Sequence, residues 1–302
     1  LGKRKTVFTA PIIKPISRKM DDLVPCCWIT PIRAYQLFVR IFAALKITYL
    51  IKSFLKDKIR VGSVSYLNAL PLLYGMRQGM LKEDAELIID YPSAIAADLV
   101  AGKIDVGLVP VAVIPQVKEA QIVTRYGIGC DGEVATVCLF SEVPLEEIKE
   151  VLLDYQSRTS VALVKLLFQN YWKRAPQWVP AYPGYESRIT GTTAGLVIGD
   201  RAFLQRKHAK YMYDLGAAWK EFTGLPFLFA AWIANKTLPE TFLIEFNKVN
   251  QFGLDHIPDI VKTIGYTHYD LQYYFTENID YCLDKNKEMA LKLFLEMIST
   301  NQ

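Results

Sequence analysis

Two short polar stretches carry the side chains that chemistry needs. The first is Ser65-Tyr66-Leu67-Asn68, followed at once by Ala69-Leu70-Pro71-Leu72. A hydroxyl, a phenol and an amide all form directed hydrogen bonds, and the amide both donates and accepts. The second is Ser157-Arg158-Thr159-Ser160, ahead of the largely apolar run 161–172. Hydroxyls at a helix start converge with unpaired N–H groups and the positive end of the helix dipole, which suits an anion such as a carboxylate. Each stretch also has a plain reading. Ser65, Asn68 or Ser157 can simply cap the helix that follows. Arg158 can face solvent or pair with an acidic residue.

The elements that must hold these stretches follow from local pattern. Residues 58–61 read as the end of a strand that Gly62 breaks, and 70–76 as a helix with Pro71 near its start. The polar turn therefore lies between a strand and a helix, where open α/β sheets place ligands. Residues 85–91, 104–110, 121–128 and 135–140 read as strands, with a helix over 93–101 that Ser93 caps and Gly102 closes. Continuous burial over 104–110 implies a sheet covered on both faces. Val111 follows at the carboxyl end of that strand, opposite the first polar turn. Strands at 151–154, 178–182, 195–198 and 213–215 come next. Gly199 and Asp200 end the third of these, with Asp200 as cap of the next helix and Gly199 letting backbone approach a ligand. The apolar run 227–235 must be buried, which returns the chain to the first sheet. The tail, 240–299, reads as helical by its 3.6-residue period, with a break at Gly265.

Composition bounds the rest. The 302 residues are 51% apolar and 22% charged, a folded chain long enough for two domains. Residues 1–57 hold eleven Lys/Arg and three Asp, a net +8, so the remainder is −4. That body does not suit nucleic acid. Charges at Arg40, Lys46 and Lys52 interrupt the apolar stretch 34–55, so stable membrane insertion is not expected. Residues 1–57 read as a basic leader outside the fold. Five cysteines without regular spacing fit a reducing cytoplasm. The three histidines are scattered, so no metal site is expected. Neither a P-loop nor a dinucleotide-binding glycine turn is expected, and no cofactor is implied.

The element order gives an α/β fold with two lobes and two crossings. Residues 58–140 and 225–302 form lobe one, and 141–224 form lobe two. This is the type II periplasmic-binding-protein-like plan, with a ligand cleft between lobes.

Five segments stand in an order that resembles one family: VSYLNALPL (Val64–Leu72), GCDGEVATVCLFSEVPLEEI (Gly129–Ile148), SRTSVAL (Ser157–Leu163), VIGDRA (Val197–Ala202) and DLGAAWKEFTGLPFLFAAW (Asp214–Trp232). Together they are similar to the chorismate dehydratases of the futalosine route to menaquinone, over about residues 58–298. The resemblance implies elimination of water from chorismate to give 3-[(1-carboxyvinyl)oxy]benzoate, with the substrate's own enolpyruvyl carboxylate taking the proton. It implies catalytic roles for Asn68 and Thr136, the latter standing where the family typically has serine. Ser65, Tyr66, Val111, Ser157, Arg158, Thr159, Ser160, Gly199 and Asp200 are then expected to bind the substrate. A sister enzyme that makes 1,4-dihydroxy-6-naphthoate shares the fold but opens with a Cys-Pro-Asn-Asp type turn. This chain has Leu-Asn-Ala-Leu-Pro there instead. A non-catalytic solute-binding protein for a small carboxylate stays open, because fold alone does not choose function.

Overall fold

The computed structural model describes residues 38–40, 42, 58–82 and 84–300. The expected leader therefore lies almost wholly outside the described residues; of it, Phe38, Val39, Arg40 and Phe42 are helical and exposed. Residues 57–302 form a unit of their own, built on two sheets.

The first sheet contains β1 (Ile59–Ser63), β2 (Ala85–Ile89), β3 (Val106–Pro110), β4 (Gln121–Cys130), β10 (Phe227–Ala234) and β11 (Asp280–Cys282), in the order β11-β4-β10-β3-β1-β2. β1 runs parallel to β2 and β3, whereas β10 is antiparallel to both β3 and β4. Every residue of β3 is buried. Its neighbours are β1 and β10, so the apolar run reflects a central position in a mixed sheet. β10 lies beside it and is buried at all but one residue. That burial explains why FLFAAWIA contains no charge.

The second sheet contains β5 (Val137–Ser141), β6 (Glu150–Leu153), β7 (Gln177–Pro180), β8 (Thr193–Ile198) and β9 (Tyr211–Asp214), in the order β7-β6-β8-β5-β9. β5 pairs with β8 and β9 here. The first crossing thus falls between Cys130 and Val137, ahead of the 140/141 boundary expected from sequence. An apolar five-residue strand carries no mark of which sheet it joins. The chain crosses back after β9, through α5 (Leu215–Thr223), to enter β10.

Glycines at 127, 129 and 132 do have the dinucleotide-turn spacing, contrary to expectation. Their setting differs from that motif's. β4 continues through Cys130, and the next element is another strand, so the glycines do not lead into a helix.

The tail departs from a purely helical reading. α6 (Glu240–Asp255) and α7 (Ile257–Ile264) are followed by the single turn α8 (Leu271–Tyr273), a π-turn over Tyr274–Asn278, the edge strand β11 and the closing helix α9 (Lys285–Thr300). A three-residue strand is too short to disturb a helical period.

α1 (Leu70–Arg77) leaves the first polar turn and packs on α6. The two helices approach so closely at Gly253 that a Cβ there would stand 1.7 Å from the Pro71 carbonyl oxygen. Gly253→Ala must push α1 away, at a cost of about 3 kcal/mol. A lower urea midpoint with an unchanged slope is the expected result; an unchanged midpoint would show that the helices part freely.

Candidate active-site cleft

The first polar turn forms a short 3₁₀ turn, Leu67–Ala69, that runs into α1. No side chain of the turn caps either helix, so the capping reading fails for Ser65 and Asn68. The cap comes instead from the other lobe. The Leu67 N–H donates to Asp200 Oδ1 at 3.1 Å. Asp200 opens α4 (Asp200–Gln205) but does not cap it; Gly199 stands at that position.

The second stretch opens α3 (Arg158–Asn170). Ser157 is its cap: Ser157 Oγ accepts the Ser160 N–H at 3.1 Å and lies 2.9 Å from Ser160 Oγ. Thr159 Oγ1 accepts the Ala112 N–H across the lobes at 3.1 Å. The N–H groups of Arg158 and Thr159 belong to the first turn and have no partner within the helix.

Between the lobes lies a cleft with about 530 Å³ of empty space, a figure that includes volume open to solvent. Tyr66, Asn68, Ser157, Ser160 and Gly199 line it, as expected. Its remaining walls are apolar: Val64, Pro92, Leu108, Pro110, Ile128, Val134, Val137, Ile198, Phe229 and Ala230. Those walls were not anticipated, although the burial of β3 and β10 was.

The other expected residues stand elsewhere. Ser65 is exposed. Val111 and Thr159 are buried behind the lining. Arg158 turns outward, where its Nη1 donates to Gln116 Oε1 at 2.9 Å; the first residue of a helix leaves its side chain free to do so. Thr136 is fully buried outside the lining, with Oγ1 2.7 Å from the hydroxyl of Tyr274. Tyr274 and Tyr281 were missed. The tail was read only for helical period, although Tyr273-Tyr274-Phe275 is an aromatic cluster in it.

Asn68 stands out by what it lacks. Its Oδ1 is buried and without a partner among the described residues. The backbone carbonyl of Asn68 accepts from the Tyr281 hydroxyl at 3.0 Å. A buried acceptor without a donor costs about 1–3 kcal/mol, which a ligand donor recovers.

Tyr66 leans across the cleft. Its hydroxyl bonds Gln156 Oε1, an atom that also accepts from Arg201 at 2.8 Å. Arg201 is fixed by Asp154 at 2.5 Å and Glu186 at 2.7 Å. Burial and the nearby Asp154 push the Tyr66 phenol up, so it stays a neutral donor. Gly199 makes room for it: φ is +64° and ψ −153°, a region essentially reserved for glycine, and a Cβ would sit 3.3 Å from the Tyr66 ring.

Neither the lining nor its polar groups include a carboxylate, imidazole, ammonium or guanidinium. Among the described residues no cluster of His, Cys, Asp and Glu is arranged to hold a metal ion. No described helix is long and apolar enough to cross a membrane.

The fold and cleft define a two-lobed, periplasmic-binding-protein-like protein. Solved structures agree on that class. Protein AF1704 from Archaeoglobus fulgidus is 15% identical with a TM-score of 0.64, covering 81% of this chain and 97% of that one. The Candida albicans CA3427 product, described as having the generic periplasmic binding protein fold, is 11% identical with a TM-score of 0.54, covering 81% and 90%. The particular family comes from sequence. Residues 59–300 match the family model described as menaquinone biosynthesis, and the chain belongs to that family. Two curated relatives carry the name chorismate dehydratase. The one from Thermus thermophilus is 25% identical over 79% of this chain and 94% of its own length. The one from Campylobacter jejuni is 26% identical over 78% and 95%.

Burial pushes the Asp200 carboxyl up to about 6, with the Leu67 N–H and Arg201 pulling the other way. The folded-state value lies above the ordinary 3.8, so the folded protein holds this proton more tightly. The group's contribution to stability is full below about pH 4 and is lost as the pH rises through about 6. Asp200→Asn keeps an acceptor for Leu67 but does not titrate. Its melting temperature is expected to gain about 5 °C on the parent's between about pH 4 and pH 7. Parallel pH profiles would show that Asp200 titrates normally.

Proposed function

We propose that this protein is a chorismate dehydratase, a carbon–oxygen hydro-lyase that converts chorismate to 3-[(1-carboxyvinyl)oxy]benzoate and water. The observation that carries this reading is the unpartnered Asn68 Oδ1 in a cavity whose walls are otherwise apolar or hydroxyl-bearing. Family membership and the two named relatives support it.

The site suits a reaction that needs positioning more than side-chain acid–base groups. One substrate carboxylate is expected at the start of α3, held by the Ser157 and Ser160 hydroxyls and the Arg158 and Thr159 N–H groups. The ring then lies between Leu108, Ile128 and Phe229, and Asn68 meets the hydroxyl that departs. The ring C–H beside the ether oxygen is acidified by conjugation with the ring carboxylate. The substrate's enolpyruvyl carboxylate takes that proton and passes it to the departing hydroxyl, whose C–O bond breaks to release water as the ring becomes aromatic. With no carboxylate or imidazole in the lining, substrate-assisted proton removal is the economical assignment. Tyr66 and the Asp200–Leu67 contact act by closing the lobes and excluding water. Free buried Cys130 and Cys138, whose thiols burial pushes up, suit a reducing cytoplasm.

The test is incubation of the purified protein with chorismate, followed by mass and ultraviolet spectra. A product lighter by one water with benzoate absorbance is expected. Unchanged chorismate from folded protein, with a thermal shift on adding it, would point to a binding role instead. In the same assay Asn68→Ala is expected to lower kcat by about 10²-fold or more. Its melting temperature should stay within about 3 °C of the parent's, since the side chain caps no helix. Equal losses of folding and turnover would make Asn68 structural.

A further inference from the structure

Tyr66 and Leu67 are neighbours in the first polar turn, and lobe two holds both. The Tyr66 hydroxyl bonds Gln156 Oε1, and the Leu67 N–H bonds Asp200 Oδ1 at 3.1 Å. Asn68 is the next residue, so the turn that carries it is gripped from across the cleft just ahead of the amide. Gln156, unlike Tyr66, is buried and stands outside the cavity lining. It can act on a ligand only through a neighbour.

The Gln156 amide is fixed on every side. Its Oε1 accepts from Arg201 Nη2 at 2.8 Å, and a guanidinium only donates, so the oxygen must face that way. Its Nε2 donates to the Tyr155 hydroxyl at 3.3 Å, and its backbone N–H donates to Asp154 Oδ1 at 2.8 Å. Arg201 is held in turn by Asp154 and Glu186, at 2.5 and 2.7 Å, and Asp154 also accepts the Tyr185 hydroxyl at 2.8 Å. An acceptor fixed in this way obliges the Tyr66 hydroxyl to donate. Tyr66 stands at the head of the turn Leu67–Ala69 in the other lobe, and no side chain caps that turn. The contact thus joins a rigid post on lobe two to a side chain that lobe one carries.

We propose that Gln156 is a positioning residue, the rigid post on lobe two to which Tyr66 latches as the cleft closes over substrate. The role rests on reading the cleft as the chorismate site. It makes affinity depend on a residue that does not touch the substrate. A latch made only in the closed form adds its free energy to closure and so tightens apparent binding. While the closed complex still predominates, weakening the latch raises KM and leaves turnover nearly unchanged. Tyr66 and Leu67 directly precede Asn68, so the closed form is also the one that presents the amide on a fixed turn.

Two measurements on the full chain test this: steady-state kinetics on chorismate, and amide hydrogen exchange at residues 65–69 of the ligand-free protein. Gln156→Met keeps the length of the side chain and removes the acceptor. It is expected to raise KM about tenfold with kcat within about threefold, and to speed exchange at 65–69. A partly unfolded sample would lower kcat and leave KM alone, so this split separates a latch from a merely structural residue. Tyr66→Phe removes the other half of the contact and is expected to raise KM at least as much, because Tyr66 also lines the cavity. The double variant Tyr66→Phe/Gln156→Met should be no worse than Tyr66→Phe alone, since both changes break one bond. Gln156→Glu keeps an acceptor and is expected to stay within about threefold of the parental KM. Multiplying KM losses in the double variant, or equal KM values for Gln156→Met and Gln156→Glu, overturn the latch. Should the parent not turn over chorismate, the reaction assignment fails and exchange decides the latch alone: parental rates at 65–69 in Gln156→Met overturn it, and faster rates support it. If Gln156→Met does not fold, Tyr66→Phe takes its place in the exchange measurement on the same terms.

Discussion

One buried carboxylate holds both connections between the lobes. Asp214 ends β9 and accepts the Gly216 and Ala217 N–H groups at 2.9 and 3.1 Å, which starts α5 on the way back to the first sheet. The same side chain accepts the Val134 and Ala135 N–H groups at 3.1 and 2.8 Å, on the outward crossing. Four backbone donors thus meet one side chain. Burial pushes this carboxyl up, against the pull of those N–H groups. Ala135 sits at φ +64°, unusual for a residue with a side chain. The strain is local, and the Asp214 contact is what holds it. Without that clip the crossing would relax and carry Thr136 with it.

The cavity inherits its character from this arrangement. Each sheet presents apolar strand ends to the gap, and polar groups enter only where a helix or 3₁₀ turn begins. The lining therefore offers hydroxyls and N–H dipoles and no full positive charge. Preorganised dipoles of this kind need little rearrangement as charge moves during a reaction. In lobe two the Arg201 guanidinium is spent on Asp154 and Glu186 and holds Gln156 in place for Tyr66.

Much of the architecture was legible in the sequence, because alternation of strand and helix survives in the apolar pattern of each segment. The central strands β3 and β10 and the start of α3 lay where pattern put them. Sheet membership of β5 was not legible, since pairing partners are set by tertiary packing. Nor was the short β11. In the site, Tyr66, Asn68, Ser157, Ser160 and Gly199 were readable from polar residues at strand and helix ends. Long-range hydrogen bonds were not. Asp200 looks like a local cap, yet it caps a turn 133 residues away. Tyr274 is separated from Thr136 by 138 positions. No periodicity records such a distance.

The hydrogen bonds across the cleft include Leu67 to Asp200, Ala112 to Thr159, Tyr66 to Gln156 and Gln116 to Arg158. Each is worth about 1 kcal/mol net. The sum of these four, about 4 kcal/mol, is close to the free energy that a ligand at about a thousand times its dissociation constant contributes. A ligand bridging the two lobes contributes on the same scale as these bonds. In the proposed dehydration, aromatisation flattens the ring and removes the one hydroxyl, so the ligand's contribution would fall as it reacts, and the chemistry itself would loosen the door through which the product leaves.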